Sequence, residues 1–258
     1  MRTIAVTRYI TPLREGGSLP AIIEADDDGM YVLKFHGAGQ GARALIAELI
    51  VGKLALACSL PMPEIVFASL NSELGRSEPD AEIQDLIRAS TGQNLAIDYL
   101  PGSITFDPGV DVPDADLASS IVWFDAYTTN IDRTIRNTNM LMWQRRLWII
   151  DHGAALYFHH SDNYSPERSQ DRFPMIRDHV LLPHASSLRE IDAKMASKLS
   201  PTVIRKIVEA VPDNWLERYA DSGDAHSQRE RYIDYLVKRL EGPRAFVEEA
   251  ISARATYL

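Results

Sequence analysis

The spacing of the apolar residues changes near residue 101, and this change constrains the fold more than any other feature of the sequence. Ahead of it, short apolar runs bounded by turn-forming residues predict β-strands over residues 4–9, 21–25, 30–35, 64–70 and 93–99. A long helical pattern that ends before Pro61 and a short one over 81–89 interrupt these strands. From Asp114 onward, helical spacing dominates. The chain is therefore predicted to be α+β, with a β-rich part followed by an α-helical part.

The dipeptide Pro101-Gly102 marks the boundary between the two parts. Proline and glycine in succession are typical of a turn rather than of a helix or a strand. We therefore predict two lobes, a β-rich N-lobe over residues 1–100 and an α-helical C-lobe over residues 101–258. A chain of 258 residues is long enough to bury a substantial core in such an arrangement.

The charge of the chain limits its partners. Lys and Arg number 27 and Asp and Glu number 36, which gives a formal net charge of −9. Proteins that bind nucleic acid in general carry an excess of positive charge, because they contact phosphates. General nucleic-acid binding is therefore not expected.

The single cysteine, Cys58, excludes an internal disulfide framework and is typical of a reducing compartment. The N-terminal sequence MRTIAVTRYI lacks the apolar core of a signal peptide. The longest apolar stretch, residues 42–60, carries charges at Arg43, Glu48 and Lys53, so it does not predict a membrane span. We expect a cytoplasmic protein.

Two charged residues lie where apolar residues are expected. Lys34 stands in the predicted strand YVLKF, and Glu48 follows fourteen residues later in the middle of an apolar helix. A buried carboxylate requires a cation nearby, so the two side chains are predicted to pair. A lysine at a sheet edge, with its alkyl chain packed and its ammonium in water, would also fit Lys34.

A glycine-rich turn lies between the first two predicted strands. Gly16 and Gly17, followed by Ser18, would let backbone N–H groups approach phosphate oxygens. An ordinary hairpin loop is the competing interpretation. The turn by itself does not distinguish the two.

The segment NIDRTIRNTNML contains the sharpest candidates for catalysis. Asp132 precedes Asn137 by five residues, so one loop supplies a carboxylate for a hydroxyl proton and an amide oxygen for Mg²⁺. Residues 140–143 and 147–150 are predicted to form a hairpin that returns the chain to Asp151, the second metal ligand. Each acid alone could equally be a turn residue. The order of all these elements along the chain, however, suits ATP-dependent phosphoryl transfer.

The motifs EGGS, YVLKF, the helix with Glu48, LAIDYLPGS, NIDRTIRNTNML and LWIIDHGAALYF resemble those of the HipA-like kinase domain family of bacteria. The resemblance covers roughly residues 9–180. The Asp132-Arg133 and Asp151-His152-Gly153 motifs are also similar to those of the phosphatidylinositol 3- and 4-kinases.

This resemblance implies a bilobal protein-kinase-like fold with ATP bound in the cleft. The adenine would lie on the connector backbone, at Asp98, Tyr99 and Leu100. By motif, the resemblance also implies nucleotide binding by Gly16, Gly17, Ser18 and Lys34. The implied catalytic residues are Asp132, Lys34 and Glu48. The implied Mg²⁺ ligands are Asn137 and Asp151. Ser18 matches the general place where toxin members of the family autophosphorylate to switch themselves off, because phosphate there would repel the phosphates of ATP.

The predicted function is therefore ATP- and Mg²⁺-dependent transfer of the γ-phosphate, with Ser or Thr hydroxyls of a protein as the expected acceptors. A cognate partner protein is expected as well. Two alternatives stay open: a kinase for a small-molecule or lipid-headgroup hydroxyl, and a catalytically silent nucleotide-binding module.

The sequence leaves some residues without an assigned role. Arg133 and Arg136 either bind a substrate phosphate or hold the loop by pairing with acids such as Asp125. Five of the seven histidines lie within residues 152–184. Because no cysteine accompanies them, loop and surface roles are expected for these histidines rather than a zinc site. His152, next to Asp151, is expected to pack or form a hydrogen bond in its turn.

Overall fold

The computed structural model describes residues 1–13, 19–38, 41–160, 166–217 and 223–257. Eight β-strands and eight α-helices are described in these ranges, and they are numbered here in chain order. No helix in these ranges is long and apolar enough to cross a membrane.

The first part of the chain is built around a closed five-stranded sheet. Its strands are β1 (Thr3–Pro12), β2 (Ala21–Ala25), β3 (Met30–Lys34), β4 (Ile65–Leu70) and β5 (Gly92–Asp98). They follow the order β1-β2-β3-β5-β4, and a parallel pairing of β1 with β4 closes the sheet. Every other pairing is antiparallel. The five strands predicted from the sequence are all present.

Side chains alternate between the two faces of strand β3. Tyr31 and Leu33 are buried in an apolar cluster inside the closed sheet. Val32 and Lys34 therefore point outward, toward the rest of the molecule. This alternation places the amino group of Lys34 outside the small core of the sheet.

Helix α1 (Gly41–Ala57) is apolar on all sides because it lies between the sheet and the helical part of the chain. Its buried residues belong to the same cluster as Ile65 and Phe67 of the sheet and as the later helices. The helix approaches β4 so closely that a Cβ at Gly52 would collide with Ile65. Glu48 is consequently carried into the interior, where none of its surface is exposed.

A short helix, α2 (Ala81–Ala89), begins at Asp80, whose carboxylate accepts the backbone N–H of Glu82. After β5, a second sheet of three strands follows, in the order β6-β7-β8. Its strands are β6 (Ile104–Thr105), β7 (Met140–Trp143) and β8 (Arg146–Ile149). The predicted hairpin of β7 and β8 is present, and β6 is too short for its sequence pattern to identify.

The helical part contains α3 (Ala115–Thr128), α4 (Leu188–Ser197), α5 (Pro201–Val208), α6 (Asp213–Leu216), α7 (Ala225–Glu241) and α8 (Ala245–Arg254). Helix α3 follows Asp114, whose carboxylate accepts two backbone N–H groups. This helix lies at the centre, and ten of its residues are buried.

Residues 166–187 are mostly polar, yet they pack against the helical part of the chain. Three 3₁₀-helical turns, Pro166–Gln170, Pro174–Asp178 and Leu182–His184, lie in this stretch. Phe173, Ile176 and Leu182 are buried among the helices. A few apolar side chains therefore anchor a segment that is polar on average.

Candidate active site

Lys34 contacts two carboxylates. Its Nζ lies 2.6 Å from Glu48 Oε2 and 2.7 Å from Asp151 Oδ1. Strand β3 supplies the lysine, α1 the glutamate, and the turn after β8 the aspartate. Burial lowers the pKa of Lys34, but the two carboxylates more than offset that effect and leave the pKa above its ordinary value. The lysine is thus a fixed cation.

Glu48 is held from two directions. Its Oε2 also accepts the backbone N–H of His152 at 2.8 Å. No described residue donates a hydrogen bond to Glu48 Oε1. Burial raises the pKa of the Glu48 carboxyl, and the ammonium of Lys34 opposes that rise. The ion pair with Lys34 therefore offsets part of the cost of burying this carboxylate.

Asp151 is half-exposed and sits in a strained turn. Its backbone φ is 53°, in the left-handed region, which costs energy for any residue except glycine. The charge of Lys34 lowers the pKa of Asp151 to about 2. The turn therefore presents an ionised carboxylate beside the lysine and toward solvent.

The loop over residues 130–139 holds Asp132 through three asparagines. The Nδ2 of Asn137 donates to Asp132 Oδ2 at 2.9 Å, and the Nδ2 of Asn139 donates to the same oxygen at 3.2 Å. Asn130 accepts the backbone N–H of Asp132 at 3.1 Å. No described residue donates to Oδ1 of Asp132. One carboxylate oxygen is thus held while the other is left to accept a proton.

The hydrogen bonds also orient Asn137. Because its Nδ2 donates to Asp132, the amide oxygen Oδ1 points elsewhere and is the atom left to bind a cation. Asn137 is exposed. An amide oxygen and an ionised carboxylate such as that of Asp151 are ligands that Mg²⁺ prefers. The donor set therefore fits a magnesium ion.

Arg133, next to Asp132, is turned inward. Its Nε donates to Asp125 Oδ2 at 2.5 Å, and neither side chain has exposed surface. Its other nitrogens donate to the backbone oxygens of Asn139 and Ile150 and to Nδ1 of His152. The structure thus decides between the two roles that the sequence left open: Arg133 holds the loop.

Two buried imidazoles complete this network as neutral rings. His179 Nδ1 accepts the N–H of Leu181 at 3.0 Å, so its Nε2–H is the donor to Asp125 Oδ2. His152 Nδ1 accepts from Arg133, so its Nε2–H faces Met62 Sδ at 3.3 Å. Burial lowers the pKa of both, that of His152 to about 3.

The Asp125 carboxylate links these groups to helix α3. Burial opposes its ionisation, but Arg133 and His179 more than offset that effect and hold its pKa below the ordinary range. Asn130 also donates to Asp125 Oδ1 at 3.0 Å. Because Asn130 in turn holds Asp132, the buried network fixes the position of the loop carboxylate.

The connector leaves one backbone donor available. The N–H of Asp98 donates to the oxygen of Glu64, and the N–H of Tyr99 donates to the oxygen of Met30. Within the described ranges, the N–H of Leu100 makes no hydrogen bond. A ligand lying against the connector would therefore find its hydrogen-bond donor at Leu100.

The predicted site residues fall into three groups. Lys34 contacts both Glu48 and Asp151, Asp132 contacts Asn137, and the connector lies at the end of β5. Gly16, Gly17 and Ser18 lie outside the described residues. The network of Arg133 and His152 joins the loop to Glu48.

Comparison with known proteins identifies the family. The model of the HipA-like kinase family matches residues 6–248, nearly the whole chain. The chain belongs to the HipA-like kinase family. The match extends well beyond residues 9–180, where the sequence resemblance was visible, and so includes the C-terminal helices. No curated protein matches the chain.

Solved structures show that this HipA-like kinase has a protein-kinase-like fold. The Helicobacter pylori proinflammatory kinase CtkA matches with a TM-score of 0.55 at 10% identity, over 93% of this chain and 95% of that one. The Golgi casein kinase, solved with Mn and ADP bound, matches with a TM-score of 0.51 at 12% identity, over 99% of this chain and 75% of that one. The predicted α+β, bilobal kinase-like fold is confirmed. Family and fold together support a phosphotransferase of this type.

Sequence reasoning missed several residues that hold the site of this HipA-like kinase. Asn130 and Asn139 bracket the loop and were visible as the outer asparagines of NIDRTIRNTN. His152 was expected only to pack or hydrogen-bond in its turn, and its partners were not foreseen. His179 had no usable signal, because its partner Asp125 lies 54 residues away.

Proposed function

We propose that this HipA-like kinase transfers the γ-phosphate of ATP, in the presence of Mg²⁺, to Ser or Thr hydroxyls of a protein. The observation that carries the proposal is the contact of Lys34 with both Glu48 and Asp151, beside a loop that presents Asp132 and Asn137. A silent module has no need for a strained turn and two desolvated charges, which cost free energy. The proposed boundary between the lobes stays at residues 100 and 101.

Each residue has a proposed role. Lys34 binds phosphate oxygens of the nucleotide, and Glu48 holds Lys34 in place. The Leu100 N–H donates a hydrogen bond to the adenine, and Asp98 and Tyr99 shape the connector. Gly16, Gly17 and Ser18 are proposed to cover the phosphates.

Asn137 Oδ1 and Asp151 would hold Mg²⁺, which when bound neutralises charge on the phosphates. Asp132 orients the acceptor hydroxyl through Oδ1 and takes its proton as the new bond to phosphorus forms and ADP leaves. The amides of Asn137 and Asn139 on Oδ2 keep the carboxylate aligned for this transfer.

The test uses transfer of label from γ-labelled ATP in a cell lysate. We expect Asp132→Asn to lower incorporation by at least about 100-fold, because the proton acceptor is lost, with an unchanged circular dichroism spectrum. Asp28→Asn is the matched control: Asp28 is an exposed turn residue, and asparagine tolerates its φ of 60°. Full activity of the Asp132 variant would remove Asp132 from the proposed role.

The fate of the label distinguishes the alternatives. Label on phosphoserine or phosphothreonine in acid-precipitated protein supports the proposed acceptor. Label confined to lipid or to small molecules would overturn it and leave the kinase assignment intact. A thermal shift with ATP–Mg²⁺ without incorporation of label would indicate a silent nucleotide-binding module.

Ser18 is proposed as a site of autophosphorylation that switches the enzyme off. Phosphate at that position would repel the phosphates of ATP. Mass spectrometry of the ATP-treated protein should find the phosphate on Ser18, and the Asp132→Asn protein should lack it. Treated wild-type protein without phosphate on Ser18 would contradict this proposal.

A further inference from the structure

A groove opens beside the loop that carries Asp132. Its lining includes Thr134, Ile135 and Arg136 from that loop, together with Val180, His184 and Tyr257. Its volume of about 610 Å³ lies within the range of pockets that bind organic ligands. Arg136, in the groove lining, directly precedes Asn137, a residue of the proposed site of phosphoryl transfer.

The walls of this groove are fixed by hydrogen bonds. The N–H of Val180 donates to the oxygen of Arg133 at 3.1 Å, and Thr134 pairs with His179 as an antiparallel bridge. The hydroxyl of Tyr257 donates to the oxygen of Arg177 at 2.7 Å. A ligand would therefore meet a largely preformed surface, which lowers the entropic cost of binding.

The groove also leaves apolar side chains in solvent. Ile135 is 74% exposed and Tyr257 is 53% exposed. Pro108 and Pro183 add further apolar surface to the lining. Rigid apolar surface next to a reactive loop is suited to the side chains of an extended peptide.

The groove lining contains one arginine, Arg136, and one carboxylate, that of Asp178, so its formal charges balance although the chain as a whole carries a net charge of −9. Arg136 is exposed and forms no ion pair with any residue of the described ranges. The other charged or titratable groups of the lining are His179, His184 and Asp178. The carboxylate of Asp178 lies 3.8 Å from Arg177 Nε, so a cation already accompanies it.

We propose that this groove binds an acidic peptide segment of the protein substrate, with a carboxylate close to the acceptor residue paired with Arg136. Charge complementarity selects this occupant, because Arg136 lacks an internal partner whereas the remaining acid of the groove has one. The inference rests on the proposed protein kinase function and adds the class of substrate.

The first test compares three serine peptides that differ only in the residues flanking serine: glutamate, glutamine or lysine. We expect kcat/KM for the glutamate peptide to exceed that for the lysine peptide by roughly fivefold, the size of an exposed ion pair. Arg136→Glu should reverse the order. Lys206→Glu makes the same charge change at an exposed position of helix α5 and should retain the wild-type order of kcat/KM for the peptides. The preference should shrink as salt is added.

The second test measures binding without catalysis. Anisotropy of the labelled glutamate and lysine peptides is recorded with the Asp132→Asn protein and with Asp132→Asn/Arg136→Glu. Tighter binding of the glutamate peptide that is lost in the double variant supports the inference. This holds even if no peptide is phosphorylated, and that result would contradict only the proposed protein acceptor. Phosphorylation of all three peptides at equal kcat/KM overturns the inference and leaves the proposed function intact. Equal or absent binding of both labelled peptides also overturns it.

Discussion

Arg133 Nε lies 2.5 Å from Asp125 Oδ2, and both side chains are completely buried. The pair joins the loop that carries Asp132 to the central helix α3, and His179 adds the segment that lines the groove. Buried charges are costly unless paired and hydrogen-bonded, and this pair satisfies both conditions. The position of Asp132 therefore depends on a charge in the protein interior.

Removal of the Asp125 charge should destabilise the protein strongly. Asp125→Asn would leave Arg133 buried without its counter-ion, so we expect a loss of about 3–5 kcal/mol in the free energy of unfolding. Asp116→Asn, at an exposed position in the first turn of the same helix, should cost less than about 1 kcal/mol. Urea denaturation measures both. Similar losses in the two variants would show that Arg133 finds another partner.

The neutral imidazoles predict a loss of stability in weak acid. The folded pKa of His152 is about 3, far below the ordinary 6.5, so between these values the unfolded chain binds more protons. Stability should therefore fall as the pH drops from 7 to 5, and His152 alone should contribute about 1–2 kcal/mol. Burial also lowers the pKa of His179, in the same network, so His179 should add to the loss of stability in weak acid.

Urea titrations at pH 7, 6 and 5 test this dependence on pH. His152→Gln should flatten the profile, whereas His226→Gln, at an exposed helical position, should leave it unchanged. A profile that is equally steep in the His152 variant would contradict the assigned neutral ring.

The Lys34–Asp151 pair predicts a second effect at lower pH. The folded pKa of Asp151, about 2, is below the ordinary value, so the pair stabilises the fold above about pH 4 and loses this effect toward pH 2. Because Asp151 is half-exposed, solvent screens the pair, and we expect its contribution to stay below about 1 kcal/mol.

Asp151→Asn provides the comparison, since asparagine adopts the left-handed backbone at a cost similar to that of aspartate. The difference in unfolding free energy between wild type and this variant should be constant from pH 7 to 5 and shrink below pH 4. A difference that grows in acid would reverse the assigned direction.

Replacement of Arg239, a residue outside the proposed catalytic site, should lower the free energy of unfolding strongly. Its guanidinium is 1% exposed and donates to the backbone oxygens of Ala126, Tyr127, Ser169 and Asp171. Two of these oxygens belong to the last turn of α3, which lacks partners of its own. Arg239→Met should cost about 3–5 kcal/mol, because three buried acceptors and one partly buried acceptor lose their donor.

The neighbouring residue provides the control for Arg239. Lys238 forms an exposed ion pair with Asp234, so Lys238→Met should cost less than about 1 kcal/mol. Chemical denaturation of both variants measures the difference. A small loss for Arg239→Met would show that water replaces the guanidinium at these oxygens.

The sequence by itself determined the local elements and the charged candidates. Alternation of apolar residues identified the five strands of the first sheet, and Asp114 marked the start of α3, because both patterns act within a few residues. A charge in an apolar helix pointed to the Lys34–Glu48 pair, which the structure shows at 2.6 Å. The family was recognisable for the same reason, since its motifs are short and contiguous.

Only the tertiary structure decided which partners the buried charges take. Lys34 meets Asp151 across 117 residues, and His179 meets Asp125 across 54. Arg133 and Arg136 are chemically identical and three positions apart, yet one is buried against Asp125 and the other is exposed in a groove. Such choices depend on how elements pack and which atoms lose contact with water, and neither periodicity nor spacing along the chain encodes that.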